Sequence, residues 1–212
     1  MRRLPVDLLV DVSGSMTGEP IESVKSGIQM LVSSLRKDPQ ALETAYLSVI
    51  TFGSNAQQVV PLTELASFQP PELRAGGMTA MGEALELLCK CVQKEVVKTT
   101  AERKGDWRPM VFILTDGIPT DDISKGLADF RAMKWGAKVS CAAGTGADTK
   151  LLDTVTPECV VQLDAADPAS ISAFFKWVSS SVSTSSKSVN ESGKDVEGLD
   201  QLPPPPPEVK IV

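Results

Sequence analysis

Apolar residues along the chain fall into two patterns, each with its own spacing. Short and almost continuous apolar segments predict strands that are covered on both faces. These segments span residues 4–11, 45–52, 109–115, 138–144 and 159–163. Longer segments carry apolar residues at every third or fourth position and predict amphipathic helices. The helical segments begin near residues 19, 81, 121, 149 and 168.

The order of these segments predicts the fold class. Strand and helix alternate along the chain, which is typical of an α/β domain with a doubly wound, Rossmann-like, mostly parallel sheet and helices on both faces. One segment departs from the pattern, because residues 56–65 are less apolar and include Pro61. Proline cannot donate a backbone hydrogen bond, so this segment is predicted to be a short antiparallel strand at an edge of the sheet.

The composition changes near residue 182, where we place the end of a domain that spans residues 1–182. Residues 183–212 are rich in serine, glycine and charge, and residues 203–207 are consecutive prolines. Such a segment buries too little apolar surface to offset its ordering entropy, and its prolines favour a stiff polyproline II rod. Its last residues, "EVKIV", alternate as an added edge strand would. We therefore expect a C-terminal tail, and hypothesise that it docks on a partner or on a neighbouring copy of the domain.

Charge and composition argue against several functional classes. The 212 residues carry a net charge of −6, with a pI near 4.8, which disfavours binding to nucleic acids and to anionic membranes. No apolar run approaches the roughly 20 residues that span a bilayer. Asp7 interrupts the first apolar run, so we expect a strand there and no signal peptide. The chain contains no histidine, which excludes Ser-His-Asp and Cys-His catalysis and imidazole metal ligands.

The four cysteines do not form the pattern of a disulfide framework or of a zinc site. Cys89 and Cys91 share a predicted helix, whereas Cys141 and Cys159 lie in separate predicted strands. In a chain of this length, we expect four reduced and mostly buried thiols, as in a cytoplasmic protein.

Small oxygen-bearing side chains cluster after two predicted strands and in one loop. They are Asp11, Ser13 and Ser15 after the first strand, Thr79 in a glycine-rich loop, and Asp116 after the strand at 109–115. Because ligands of a doubly wound sheet bind at the carboxyl ends of its strands, we expect all five side chains to meet at one edge. Oxygen-only ligation suits Mg²⁺ or Mn²⁺. With mostly neutral hydroxyls around it, such a cation would keep much of its charge and favour an incoming carboxylate.

Each of these motifs also has a simpler interpretation as a capped turn. Aspartate and serine are common where a strand turns into a helix, because they accept backbone hydrogen bonds there. In "TDGIPTDD", which spans residues 115–122, Asp121 or Asp122 can oppose the dipole of the helix that follows, and we predict this role for Asp121. That role does not compete with a metal role for Asp116, and the occurrence of all three motifs in one chain favours the metal site.

The segments "DVSGSM", "GGMTAMGEAL" and "ILTDGIPTD" resemble the metal-ion-dependent adhesion site (MIDAS) of von Willebrand factor type A (VWA) domains. All positions of the family motif, Asp-x-Ser-x-Ser…Thr…Asp, are filled here, by Asp11, Ser13, Ser15, Thr79 and Asp116. The resemblance covers about residues 4–182. It implies that the two serines and the threonine contact the metal directly or through water, and that the aspartates act largely through water. It also implies that an Asp or Glu of a partner protein completes the metal shell.

A closer resemblance is to the bacterial TerY-type VWA proteins, which are associated with tellurium resistance. It is carried by residues 13–52 and 59–88. This resemblance implies a cytoplasmic, non-enzymatic scaffold or regulator in a stress-response phosphorylation system, with a protein kinase or protein phosphatase as partner. "GGMTAMGE" departs from the usual pattern, since methionines stand where threonine and leucine are more common, but Thr79 itself is retained.

Three functions remain open at this point. The first is a metal-dependent protein-binding module. The second is a metal-dependent phosphohydrolase, which would need a second acid two positions after Asp11, where Ser13 stands. The third is a scaffold whose metal never exchanges its ligands, which predicts no contact between the metal and a partner carboxylate.

Overall fold

One mixed sheet organises the molecule, whose computed structural model describes residues 2–198 and 201–212. In the described residues the sheet has seven strands in the order β3-β2-β1-β4-β5-β6-β7. The five inner strands are parallel, and the edge strands β3 and β7 are antiparallel to their neighbours. The strands are β1 (Leu4–Asp11), β2 (Ala45–Phe52), β3 (Ala56–Glu64), β4 (Met110–Thr115), β5 (Ala137–Ala143), β6 (Val160–Leu163) and β7 (Lys210–Ile211).

Helices cover both faces of this sheet, so the predicted fold class is confirmed. The helices are α1 (Glu19–Leu35), α2 (Pro39–Thr44), α3 (Met81–Glu95), α4 (Ser124–Ala132), α5 (Thr149–Val155) and α6 (Pro168–Ser192). Helices α1, α2 and α6 contribute to the hydrophobic core on one face, and α3, α4 and α5 contribute to the core on the other. Helix α2 has only six residues, too few for a helical period to be recognised in the sequence.

Strand β1 lies in the middle of the sheet and contributes side chains to both cores. Leu8 and Val10 point into the core beneath α1 and α6, whereas Leu9 points into the core beneath α3. The register pairs Val10 with Leu114 of β4 and Asp11 with Phe52 of β2. The carboxyl end of β1 is therefore flanked by the ends of two parallel strands, and this is the edge where the motif residues lie.

Helix α6 continues ten residues beyond the domain boundary that we predicted at residue 182. It ends at Ser192 and is followed by Gly193, whose φ of 65° is the left-handed conformation common after a helix. Serines in its second half, among them Ser181, Ser185 and Ser186, are fully buried. A serine-rich composition predicts disorder, but the small side chain also lets a helix be packed closely, and α6 packs against α1 and α2.

The residues after α6 return to the domain and cover part of it. Val196 and Val209 are buried in the same core as α6, and the indole Nε1 of Trp177 donates a hydrogen bond of 2.8 Å to the Pro203 carbonyl. The "EVKIV" segment forms β7 on the edge of β6, with the Val212 N–H donating to Val160 at 3.0 Å. The edge strand hypothesised from the sequence thus pairs with the sheet of its own chain.

Burial bears out the expectation for the cysteines. The four cysteines are free and buried, and burial raises the pKa of Cys89 to about 12 and those of Cys91 and Cys159 to about 11. Among the described residues, no helix combines the length and apolar character needed to cross a bilayer.

Asp7 is a carboxyl group in the interior of β1. It is 3% exposed, and its Oδ2 has no hydrogen-bond partner among the described residues. Burial raises its pKa to about 7, an effect that the hydrogen bond with Ser48 opposes and the charge of Glu95 reinforces. The group therefore holds its proton in the folded protein at pH values where an unfolded chain releases it.

The stability of the protein should fall as the pH rises from about 4 to about 7, and Asp7→Asn should reduce that slope. Between these values the folded state binds a proton that the unfolded state has lost, so raising the pH favours unfolding; above the folded pKa the effect is complete. Urea denaturation at several pH values measures the slope. The chain contains no histidine, so no imidazole titration contributes to it.

Asp153→Asn, at an exposed aspartate of α5, is the matched control and should keep the wild-type slope. Part of the slope should persist in Asp7→Asn, because the pKa of Asp11 is also raised. An unchanged slope in Asp7→Asn would contradict the assignment of a neutral carboxyl at this position.

Removal of residues 194–212 should destabilise the domain by roughly 3 kcal/mol, the value expected for exposing the sites of two buried valines. The truncation removes Val196 and Val209, opens the edge of β6, and takes away the carbonyl that Trp177 contacts. Chemical denaturation measures the loss, and tryptophan emission should shift to longer wavelength.

Removal of Ile211 and Val212 alone is the control for this truncation. Their side chains are 61% and 57% exposed, so the loss should stay below about 1 kcal/mol. Equal stability of the long truncation and the full chain would show that the segment contributes nothing to folding.

Candidate metal site

Asp11 ends the central strand, and both oxygens of its carboxylate are held by neighbours. Oδ1 accepts the Ser13 N–H at 2.7 Å, and Oδ2 accepts the Thr115 hydroxyl at 2.6 Å. Asp11 is fully buried. Burial raises its pKa and the charge of Asp116 adds to the rise, while the hydrogen bonds from Ser13 and Thr115 oppose it. The carboxylate thus ties the loop after β1 to the end of β4.

The serines of the motif reach the same edge through a short turn. An extended segment would point the alternate side chains the same way, but Gly14–Met16 forms a 3-10 turn. Within this turn the hydroxyls of Ser13 and Ser15 lie 3.0 Å apart, and the Ser15 hydroxyl donates to Asp116 Oδ1 at 2.7 Å. Ser13 is buried and Ser15 is exposed, so the pair leads from the interior to the surface.

Thr79 is brought in by the glycine-rich loop before α3. A β carbon placed on Gly117 would lie 3.6 Å from the Thr79 Oγ1 and 4.0 Å from the Ser15 Oγ, so both hydroxyls surround the residue that follows Asp116. Thr79 is only 6% exposed. The structure therefore gathers all five motif residues at the carboxyl edge of the sheet.

Backbone contacts fix the two loops against each other. The Gly14 N–H donates to the Gly77 carbonyl at 3.0 Å, and the Gly76 N–H donates to the Val12 carbonyl at 2.8 Å. Gly77 has a φ of 83°, and a β carbon there would overlap the Ser54 hydroxyl, so the position requires glycine. These contacts hold the serine turn without using the side chains of the motif.

Three further residues support the site and were not identified as such from the sequence. Thr115 binds Asp11, as described above. Thr120 exchanges two hydrogen bonds with Thr79, since its hydroxyl accepts the Thr79 N–H at 3.0 Å and its own N–H donates to the Thr79 carbonyl at 2.9 Å. Asp121 accepts the N–H groups of Gly82 and Glu83.

The contacts of Asp121 correct its predicted role. We predicted that it opposes the dipole of the helix that follows, but it caps the start of α3, whereas Asp122 accepts the Ser124 N–H at the start of α4. The error arose because a cap distant in sequence leaves no local spacing to recognise. Its neighbour Asp122 had the right spacing for the nearer helix.

The donor set of the site fits a hard divalent cation. Two carboxylates and three hydroxyls converge, and none of the five side chains offers sulfur or nitrogen. Among residues 2–198 and 201–212, no group of three or more His, Cys, Asp or Glu side chains is placed to hold a metal ion. The rim includes two apolar side chains that face solvent, Met78 at 57% and Ile118 at 61% exposure.

A doubly wound α/β domain with oxygen donors at the carboxyl edge of its sheet is the class of protein that these observations define. The sequence profile of the von Willebrand factor type A domain matches residues 6–174, so the chain belongs to the VWA family. VWA domains mediate protein–protein interactions, often through a divalent metal bound at the MIDAS.

Comparison with a curated relative adds little about function. The chain is 34% identical over 123 residues to an uncharacterized protein of Synechocystis sp., a match that covers 55% of this chain and 26% of that protein. The aligned part is thus about a quarter of the relative's length.

Solved structures support the fold. A von Willebrand factor type A protein from Catenulispora acidiphila has a TM-score of 0.67 and 17% identity, covering 86% of this chain and 43% of that one. Proximal thread matrix protein 1 from the mussel byssus, with a zinc-occupied MIDAS motif, has a TM-score of 0.59 and 19% identity. The match covers 84% of this chain and 46% of that one. The pilus adhesin SpaC from Lactobacillus rhamnosus GG has a TM-score of 0.63 and 15% identity. The match covers 87% of this chain and 30% of that one.

Asp121→Ala should destabilise the domain by about 1 kcal/mol, the usual cost of removing a side chain that caps a helix. The substitution leaves the N–H groups of Gly82 and Glu83 without their acceptor and releases the loop after β4 from α3. Urea denaturation measures the change. Asp153→Ala, at an exposed position of α5, should be close to neutral, and equal values for the two variants would contradict the capping role.

Proposed function

We propose that this chain is a metal-dependent protein-binding module, in which a cation at the candidate metal site receives an Asp or Glu carboxylate from a partner protein. The residues that would hold the cation are Asp11, Ser13, Ser15, Thr79 and Asp116. Mg²⁺ or Mn²⁺ is the cation that this set of oxygens suits. When bound, the cation supplies the positive charge that attracts the partner's carboxylate.

The observation that carries this proposal is the convergence of Ser13, Ser15 and Asp116. The Ser15 hydroxyl lies 3.0 Å from that of Ser13 and 2.7 Å from a carboxylate oxygen of Asp116. Three oxygens from two distant segments thus lie within the reach of a single ion. Ser15 is exposed, so a group from another protein can approach the same place.

The charges of the site favour an acidic ligand. Three of the five side chains are neutral hydroxyls, and the carboxylate of Asp11 is occupied by hydrogen bonds from Ser13 and Thr115. A divalent cation held in this way has mostly neutral oxygens as its nearest ligands, so it still attracts a negatively charged ligand. An additional carboxylate from outside the domain would complete the ligand shell.

The proposal assigns no catalytic activity to the chain. A phosphohydrolase of the type considered above would need an acid where Ser13 stands, and Ser13 is buried against Ser15 and Asp11. The cysteines are also poor nucleophiles, because burial raises their pKa values. The chain has no histidine to act as a base.

The cellular setting that we propose rests on the resemblance of residues 13–52 and 59–88 to the TerY-type proteins. By that resemblance, the module acts in the cytoplasm as a scaffold or regulator in a tellurium-resistance or stress-response system. Its partner would be a protein kinase or a protein phosphatase. Four free cysteines are compatible with a reducing compartment.

Magnesium should raise the melting temperature of the chelator-treated protein, and Ser15→Ala should remove most of this rise. A ligand present at a hundredfold excess over its Kd stabilises a folded protein by about 2.7 kcal/mol. Loss of the Ser15 hydroxyl removes a proposed ligand from the exposed side of the site. Thermal denaturation during titration with MgCl₂, and then with MnCl₂, measures the effect.

Ser26→Ala is the matched control, because Ser26 is an exposed serine on α1 away from the site. Proteins retained from a lysate by the wild type in MgCl₂ should be lost both with EDTA and with Ser15→Ala, but kept by Ser26→Ala. Partner capture that ignores the chelator and both substitutions would refute the proposed function. A screen for phosphatase activity over several metals tests the enzymatic alternative.

A further inference from the structure

A cleft of about 370 Å³ lies beside the candidate metal site, on the side of β2 and β3. Its lining is apolar at Val12 and Leu73 and polar at Ser54, Glu72 and Arg74. Leu73 is buried, whereas Glu72 and Arg74 are exposed at the mouth. The cleft therefore combines an apolar interior with charged groups that a ligand in solution can reach.

The cleft and the candidate metal site share one stretch of backbone. Gly76 and Gly77 line the cleft, and the same two residues exchange hydrogen bonds with the loop that carries the motif serines. The next residue, Met78, is anchored to the cleft by its N–H, which donates to the Ser54 hydroxyl at 3.2 Å. A segment bound at the metal site could thus continue into the cleft across Met78.

Arg74 offers hydrogen-bond donors that the described part of the chain does not use. Its guanidinium makes no hydrogen bond or ion pair with residues 2–198 or 201–212, although Glu72 lies two positions away. By contrast, Arg3 and Arg108 are engaged with carboxylates of Asp106 and Glu197. Arg74 therefore presents a free planar fork of donors, which binds a carboxylate in a bidentate manner.

We propose that Arg74 and the cleft form a second subsite for the partner, which recognises a segment carrying two acidic residues. One carboxylate reaches the candidate metal site, and the other is bound by Arg74. Met78 is exposed and lies between Arg74 and Thr79 in the sequence, and it would contact an apolar residue of the same segment. The inference rests on the proposed function, because the first carboxylate needs the metal.

Charge complementarity selects this occupant over others. A bound cation and the Arg74 guanidinium would each attract a carboxylate, whereas the chain as a whole carries a charge of −6 and repels acidic proteins elsewhere. Glu72 opposes the binding of an acidic segment and would limit its affinity. Because Glu72 and Arg74 both line the cleft, their opposite charges together would determine how strongly an acidic segment binds.

A random linear peptide library displayed on phage tests the inference on the 212-residue chain. Phage are bound in MgCl₂ and eluted with EDTA, and the recovered peptides are synthesised and titrated. We expect the recovered peptides to hold two acidic residues a short distance apart. Arg74→Gln should weaken them roughly tenfold, in line with the loss of a charge-assisted bidentate contact, and Glu72→Gln should strengthen them.

Arg103→Gln is the matched control. Arg103 is an exposed arginine in the segment before β4, which lies at the amino ends of the strands and away from the site. Peptides in which the second acid is replaced by glutamine should bind wild type and Arg74→Gln equally. EDTA-eluted peptides with a single acid and no response to Arg74→Gln would overturn the inference and leave the proposed function standing. Failure to elute any peptide with EDTA would overturn both.

Discussion

The carboxylate of Asp11 is the contact on which the arrangement of the site depends. It ends the central strand and accepts hydrogen bonds from the Ser13 N–H and the Thr115 hydroxyl, so it joins the loop after β1 to the end of β4. Because the group is buried, these two donors have no water to replace them. This junction helps to position Ser15 and Asp116. The oxygens that would hold a cation are therefore in place before it binds.

The layers of the fold, and the edge at which the motif residues lie, could be predicted from the sequence because both depend on local patterns. Strands covered on both faces need continuous apolar runs, and the register of parallel strands brings their carboxyl ends, with Asp11 and Asp116, to one edge. Thr79 could be placed there through its resemblance to the VWA motif. The support of the site was not predictable, since Thr115, Thr120 and Asp121 act across loops that are far apart in sequence.

The second half of α6 shows where composition misleads. Its serines have the signature of a disordered tail, yet Ser181, Ser185 and Ser186 are buried, because the face of the helix that neighbouring elements approach carries only small side chains. Helices α1 and α2 pack against α6, and neither lies within a window of the local sequence. The polyproline run is likewise ordered by one hydrogen bond to Trp177 and by the valines on either side of it.

Strand β7 closes one edge of the sheet with only two paired residues. An open edge presents unsatisfied N–H and C=O groups on which strands of other molecules can assemble, and β7 occupies those of β6. Proteolytic trimming of the last few residues would uncover this template. Among the described residues, the shortest strand is therefore the one that covers the pairing groups of β6.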